Sequence, residues 1–279
     1  MAHENAPILL ACDFDGTIWF TANPQPWLDE DARAATSFRR AGNLLGVCTG
    51  RTLDGIRVPL AMMPDDVRFR FDFMILLNGS RILGADGQTL FERLLPRQTV
   101  LDLHERFCCG RTYVNDLRNV AAGEWGNQTD EVHCIIQAND TAYTFEKPFS
   151  TQTHVDSMDQ IPGDMLRGIS FLFGTVEAAQ DAAAWINGNV GDVACAYVNR
   201  SYIDVVPAGC SKGRALEVVR ELFGAGTVAA IGDSYNDLPM LDAADVSFAL
   251  AHAPEDVRGA ADHVVEKTAY ALEALTQGE

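Results

Sequence analysis

Lysine is nearly absent. The 279-residue chain holds 21 Lys and Arg together, of which only Lys147, Lys212 and Lys267 are lysines, leaving 21 − 3 = 18 arginines. Positive charge is also outnumbered: 39 Asp and Glu set the net charge at −18. That balance excludes a basic face for tracking along nucleic acid and opposes adsorption to an anionic membrane surface. No apolar run approaches the roughly 20 residues that span a bilayer. The opening segment MAHENAPILLACDFDG has no basic stretch ahead of its apolar run, which argues against a secretory leader. No CxxC pair occurs among the seven cysteines, Cys12, Cys48, Cys108, Cys109, Cys134, Cys195 and Cys210, so a zinc site of the usual spacing is not expected. Most sit among apolar neighbours, as buried reduced thiols do. The expectation is a soluble protein of a reducing cytoplasm.

Apolar residues are plentiful by contrast, at 47%, and support a sizeable core. The length suits one large domain or two of ordinary size. Short apolar runs at 8–12, 44–48, 73–77, 228–231 and 247–250 read as buried parallel strands. Between them, 28–41 carries Leu28, Ala32, Ala35 and Phe38 at helical spacing, with Gly42 as terminator, and 212–222 reads as another helix. The alternation predicts right-handed βαβ units in a Rossmann-like parallel sheet with helices on both faces. The pattern changes in the middle, where 111–114, 132–136 and 168–173 read as strands, 177–186 as a helix, and 193–198 with 202–206 as a hairpin. This predicts an α+β unit at 84–208 inserted into a discontinuous core of 1–83 and 209–279.

Open α/β sheets gather ligands at the carboxyl ends of their strands. Polar residues stand there in this chain: Asp13 and Asp15, Thr49, Asn78, and Asp233 with Asn236 and Asp237. Asp13 and Asp15 are two apart, so extended chain projects both to one side. Carboxylates so close resist joint ionisation unless a cation neutralises them. A hard divalent cation, Mg²⁺ in particular, is the natural partner for oxygen ligands. Each position also has a plainer reading. Asp13, Asp15 and Asp233 suit turns, Thr49 can cap a following helix, and Lys212 can be solvated. Arg51 and Asn78 read equally as substrate contacts or as local polar partners. His104, His133 and His154 lack metal-ligand spacing and read as surface or satisfied core histidines. Trp125, Tyr143, Phe145 and Phe149 line a pocket or fill a core. Lys147 reads as solvated, with a substrate anchor as the alternative.

Taken in order, Asp13-Phe14-Asp15-Gly16-Thr17, Cys48-Thr49-Gly50-Arg51, Asn78-Gly79, Ser211-Lys212-Gly213 and Gly232-Asp233-Ser234-Tyr235-Asn236-Asp237 resemble the motifs of the haloacid dehalogenase (HAD) superfamily. The long insert resembles that of its sugar-phosphatase-like, Cof-type subgroup with a type IIB cap. The resemblance implies a Mg²⁺-dependent phosphatase acting on a small phosphorylated metabolite, a sugar phosphate in particular. It implies Asp13 as the nucleophile, Asp15 as general acid and base, and Thr49 and Lys212 as ligands of the transferring phosphoryl group. Gly50, Arg51 and Asn78 would contact the substrate. Asp13, the Asp15 carbonyl and Asp233 would hold the metal, with Asn236 or Asp237 close by. A phosphomutase or phosphotransferase on the same scaffold is the alternative. A silent metabolite-binding protein is a third reading, disfavoured because binding alone has no use for Asp15. One departure is clear: many relatives carry Gly-Asn-Ala where this chain has Ala251-His252-Ala253. An acidic total does not bar an anionic substrate from a site whose sign a bound cation changes. The sequence sets no oligomeric state.

Overall fold

Ile8–Cys12 forms the first strand, β1, and its burial suits a central parallel strand flanked on both faces. The structure is a computed structural model that describes residues 6–108, 132–146, 148 and 151–277. Helix α1 (Asp29–Arg40) has Asp29, Glu30 and Asp31 in its first turn and Arg39 and Arg40 in its last, charges that complement the helix dipole. Its buried face is Ala32, Ala35 and Phe38, the apolar stripe read from the sequence. Gly42 follows at φ +91°, a left-handed exit that ends the helix. Strand β2 (Leu44–Cys48) pairs parallel to β1, with Leu44 opposite Leu9. Helix α2 (Leu53–Ala61) is capped by Thr52, whose Oγ1 accepts the Gly55 N–H at 3.2 Å. Strand β3 (Phe73–Leu76) lies parallel to β2. Strands β4 (Arg81–Gly84) and β5 (Thr89–Glu92) then fold back antiparallel on the sheet edge.

The middle of the chain builds β6 (Leu95–Pro96), α3 (Arg97–Cys108), β7 (Val132–Ala138), β8 (Thr141–Thr144), β9 (Gln152–His154), β10 (Met165–Leu166), β11 (Gly168–Phe173), α4 (Val176–Asn189), β12 (Ala194–Asn199) and β13 (Tyr202–Pro207). Six strands form one sheet in the order β12-β13-β11-β7-β8-β9, and β6 pairs with β10. Alternate residues face one core: Val132, Cys134 and Ile136 of β7 with Ile169, Phe171 and Phe173 of β11. Val100, Leu103 and Phe107 of α3 and Ala179, Ala183 and Ile186 of α4 join them. Thr175 caps α4 by accepting the Ala178 N–H at 3.1 Å. Tyr143 and Phe145 pack against this core. His133 is fully buried and pairs with Glu146, which also accepts the Thr144 hydroxyl. The strand expected at 111–114, and Trp125, Lys147 and Phe149, lie outside the described residues.

The last third comprises α5 (Lys212–Phe223), β14 (Thr227–Gly232), α6 (Leu238–Ala243), β15 (Val246–Leu250), α7 (Glu255–Ala260), β16 (His263–Val265) and α8 (Thr268–Gln277). β14 pairs parallel to β1 on the side away from β2, with Val228 opposite Leu9. The sheet order is therefore β16-β15-β14-β1-β2-β3-β4-β5. Strand order reverses at β1, the point where open α/β sheets bind ligands. By compactness, described residues of 1–50, 59–92 and 211–279 make one unit, and those of 51–58 and 93–210 the other. The first unit runs on to residue 92, past the boundary at 83 read from the sequence, because β5 pairs with β4. Among the described residues no helix is long and apolar enough to cross a membrane.

Asp31 is an acid the sequence reading passed over. It is fully buried on α1, and its Oδ1 accepts the Ala269 N–H of α8 at 2.7 Å. Burial pushes its carboxyl up to about 6, against the pull of that hydrogen bond. The folded chain therefore holds an extra proton between about pH 4 and 6, and this group's contribution to stability falls as pH rises through that window. Relative to Asp31→Asn, the wild type is expected to lose about 3 kcal/mol between about pH 4 and 7. Denaturant unfolding of both proteins across that range measures it, and a difference independent of pH would contradict the assignment.

Candidate functional site

The ends of β1 and β14 lie side by side, so the residues just past them meet. The Asp13 N–H still bonds to the Ile231 carbonyl at 2.9 Å, which fixes its backbone as the strand ends. Gly16 leaves at φ +81°, and a Cβ there would stand 2.4 Å from Asp233 Oδ2. Only glycine lets this turn close over Asp233. Gly232 is constrained by space instead, since its Cβ would lie 2.5 Å from Asp237 Cγ.

Lys212 sits at the start of α5, whose cap is Ser211 accepting the Arg214 N–H at 3.0 Å. Its ammonium is buried and donates to Asp13 Oδ1 at 2.6 Å and to Asp237 Oδ1 at 2.5 Å. The other Asp237 oxygen, Oδ2, accepts the Asp233 and Ser234 N–H groups, each at 3.0 Å. Asp237 thus ties the lysine to the loop that presents Asp233. Thr17 Oγ1 donates to Asp233 Oδ1 at 3.0 Å, and His252 Nε2 stands 3.5 Å from Asp233 Oδ2.

Carboxylate oxygens of Asp13, Asp233 and Asp237 lie within 4.8 Å of one another. With all three ionised beside one lysine, the cluster carries −3 + 1 = −2. Burial, followed by the Asp237 charge, pushes the Asp13 carboxyl well above the usual carboxylate range, although Lys212 opposes this. The same two causes push Asp233 up to about 6. Burial alone would lower the Lys212 pKa, but Asp13 and Asp237 outweigh it and hold the ammonium charged. Buried carboxylates short of positive charge are what a hard divalent cation relieves, so this donor set fits one.

The other expected residues stand at the ends of β1, β2, β3 and β14 and ahead of α2. Asp15 is exposed, just past β1. Thr49 is buried at the end of β2, where its N–H bonds to the Ile75 carbonyl and its own carbonyl accepts the Asn78 N–H at 3.0 Å. Gly50 follows it, partly exposed. Asn78 is buried in a left-handed conformation at φ 49°, directly after Leu77 at φ 52°; such backbone is costly and clusters at functional turns. Asn236 Oδ1 accepts the Ser234 hydroxyl at 2.7 Å. Arg51 donates to the Gly55 carbonyl at 2.8 Å within the first turn of α2. Sequence reasoning gave no role to Thr17, although the motif DxDGT contains it.

An open, mostly parallel sheet with an acid cluster and a buried lysine at its carboxyl edge defines an α/β enzyme scaffold able to hold a cation. The chain belongs to the haloacid dehalogenase-like hydrolases, whose family profile matches residues 10–271. The pyridoxal phosphate phosphatase YbhA of Escherichia coli K12 is 23% identical over 267 residues, 92% of each chain. A phosphoglycolate phosphatase of Sulfurisphaera tokodaii is 34% identical over 70 residues, 25% of this chain, and the match spans only 31% of that relative's length. Among solved structures, the HAD subclass IIB sugar phosphatase BT4131 is similar at TM-score 0.68 and 17% identity, over 96% of this chain and 98% of that one.

Proposed function

We propose that the protein is a Mg²⁺-dependent phosphatase that hydrolyses a small phosphorylated metabolite, of the sugar phosphate class, through an aspartyl-phosphate. The observation that carries this reading is the buried Lys212 bridging Asp13 and Asp237 at the end of β1, with Asp233 alongside. Asp13 is the nucleophile, and its carboxylate oxygen forms the bond to phosphorus. Asp15 gives a proton to the leaving oxygen and later takes one from the water that hydrolyses the aspartyl-phosphate. Its exposed position suits a group that must meet both. Lys212 and the Thr49 hydroxyl bind the oxygens of the transferring group. Gly50, Arg51 and Asn78 contribute substrate contacts. Asp13, the Asp15 carbonyl and Asp233 would hold the Mg²⁺, with Asp237 and Asn236 beside them, and the bound ion supplies charge neutralisation. The names of YbhA and BT4131 support a small phosphate ester as substrate.

The test is free phosphate released from a panel of phosphorylated metabolites with Mg²⁺, with no acceptor alcohol added. Release from sugar phosphates that stops on chelation is the expected result. No release from any member of the panel would sink the proposal. Transfer seen only with an added acceptor would recast the enzyme as a phosphotransferase.

A further inference from the structure

The inserted unit carries a second group of metal-ligating side chains that the proposed chemistry does not use. His104 and Cys108 are four residues apart on α3, so they project from one face of the helix. Cys134 comes from β7, on the strand face that turns toward the same core as Val132 and Ile136. One nitrogen of His104 and the sulfurs of Cys108 and Cys134 all lie within 4.8 Å of one another. The His104 ring is held against Phe145, with centroids 4.9 Å apart, which fixes the direction of its nitrogens. Both sulfurs are buried, at 2% and 0% exposure, whereas His104 is half-buried. The imidazole is therefore the member of the group that meets solvent.

We infer that His104, Cys108 and Cys134 form a cation site separate from the carboxylate cluster, suited to a borderline transition metal of the Zn²⁺ class. Donor chemistry decides the class. Two sulfurs and an imidazole nitrogen suit Zn²⁺ or Co²⁺ and disfavour Mg²⁺, whereas the oxygens of Asp13 and Asp233 have the opposite preference. Among the described residues the site has three protein ligands, and a fourth position would take water or a small ligand. The donors come from a helix and a strand that share a packed core, so their geometry is set before any ion arrives. The spacing escapes a search for paired cysteines because the third ligand is 134 − 108 = 26 residues beyond the second.

Co²⁺ is the probe, because thiolate ligation gives it an intense near-ultraviolet charge-transfer absorption that carboxylate ligation does not. The full-length protein, reduced and stripped of metal, is titrated with Co²⁺ in excess Mg²⁺. The expected result is one strongly absorbing equivalent that Zn²⁺ displaces. Cys134→Ser lowers the absorption, because only one of the two thiolates remains. His104→Gln, at a half-buried position that leaves the core intact, raises the half-saturating Co²⁺ concentration by roughly tenfold or more. Circular dichroism checks that each variant is folded. No such absorption in the wild type, or a His104→Gln titration identical to it, would overturn the inference.

Discussion

Asp13→Asn is expected to lower turnover by roughly 10⁴-fold while leaving the fold intact. Asparagine keeps the shape of the side chain, and its amide oxygen can still accept from Lys212. On the proposed mechanism it lacks the anionic oxygen that would bond to phosphorus. Stability should change by no more than about 1 kcal/mol, because two effects oppose each other. Lys212 loses one charged partner but keeps Asp237 at 2.5 Å. At the same time a carboxyl that burial holds above its ordinary pKa range is no longer present to be ionised. Phosphate release and the thermal midpoint, measured on one preparation, check both halves. Retained metal-dependent activity would remove Asp13 from the nucleophile's role.

Lys212→Met should have the largest effect on stability. The ammonium is 1% exposed and lies between two buried carboxylates. Removing it leaves Asp13 and Asp237 facing each other without compensation, at a cost of about 3–5 kcal/mol. Urea unfolding without divalent metal is the measurement, and a loss below about 1 kcal/mol would contradict the charge arrangement described here. Adding Asp13→Asn to Lys212→Met should restore part of the loss, because one of the stranded charges is then gone. The double-mutant cycle reports that coupling directly.

These two residues show what the sequence conveys and where it stops. The place of Asp13 was legible because its signal is local: an apolar strand, a DxDGT turn and a strand-end position occur together in ten residues. The elements placed by apolar periodicity, such as α1 and β14, agree with the structure within a residue or two for the same reason. The partnership of Lys212 with Asp237 was not legible, since it depends on how α5 packs beside the β14 loop. Thr49 read as a possible helix cap, yet the hydroxyl that caps α2 belongs to Thr52, three residues further on. Asp31 drew no notice in the sequence, since its burial and its bond to the Ala269 N–H depend on α8. The β4–β5 hairpin was missed because strand preference depends on neighbours more than on residue type. His104 and Cys108 carry a helical spacing, but nothing in the chain announces that Cys134 lies against them.

The place of β1 in its sheet also bears on how the chain folds. Leu9 meets Leu44 across 44 − 9 = 35 residues and Val228 across 228 − 9 = 219. Closing the longer loop costs about 1.6 kcal/mol more in chain entropy. During synthesis β1 and β2 emerge well before β14, so one edge of β1 lacks its neighbour while the residues between are made. The whole inserted unit is made in that interval. The nascent chain therefore carries an apolar strand with one edge unpaired, a state prone to association. Folding of this sheet is expected to be slow relative to a chain of local contacts, and Asp13 and Asp233 meet only once β14 has paired with β1.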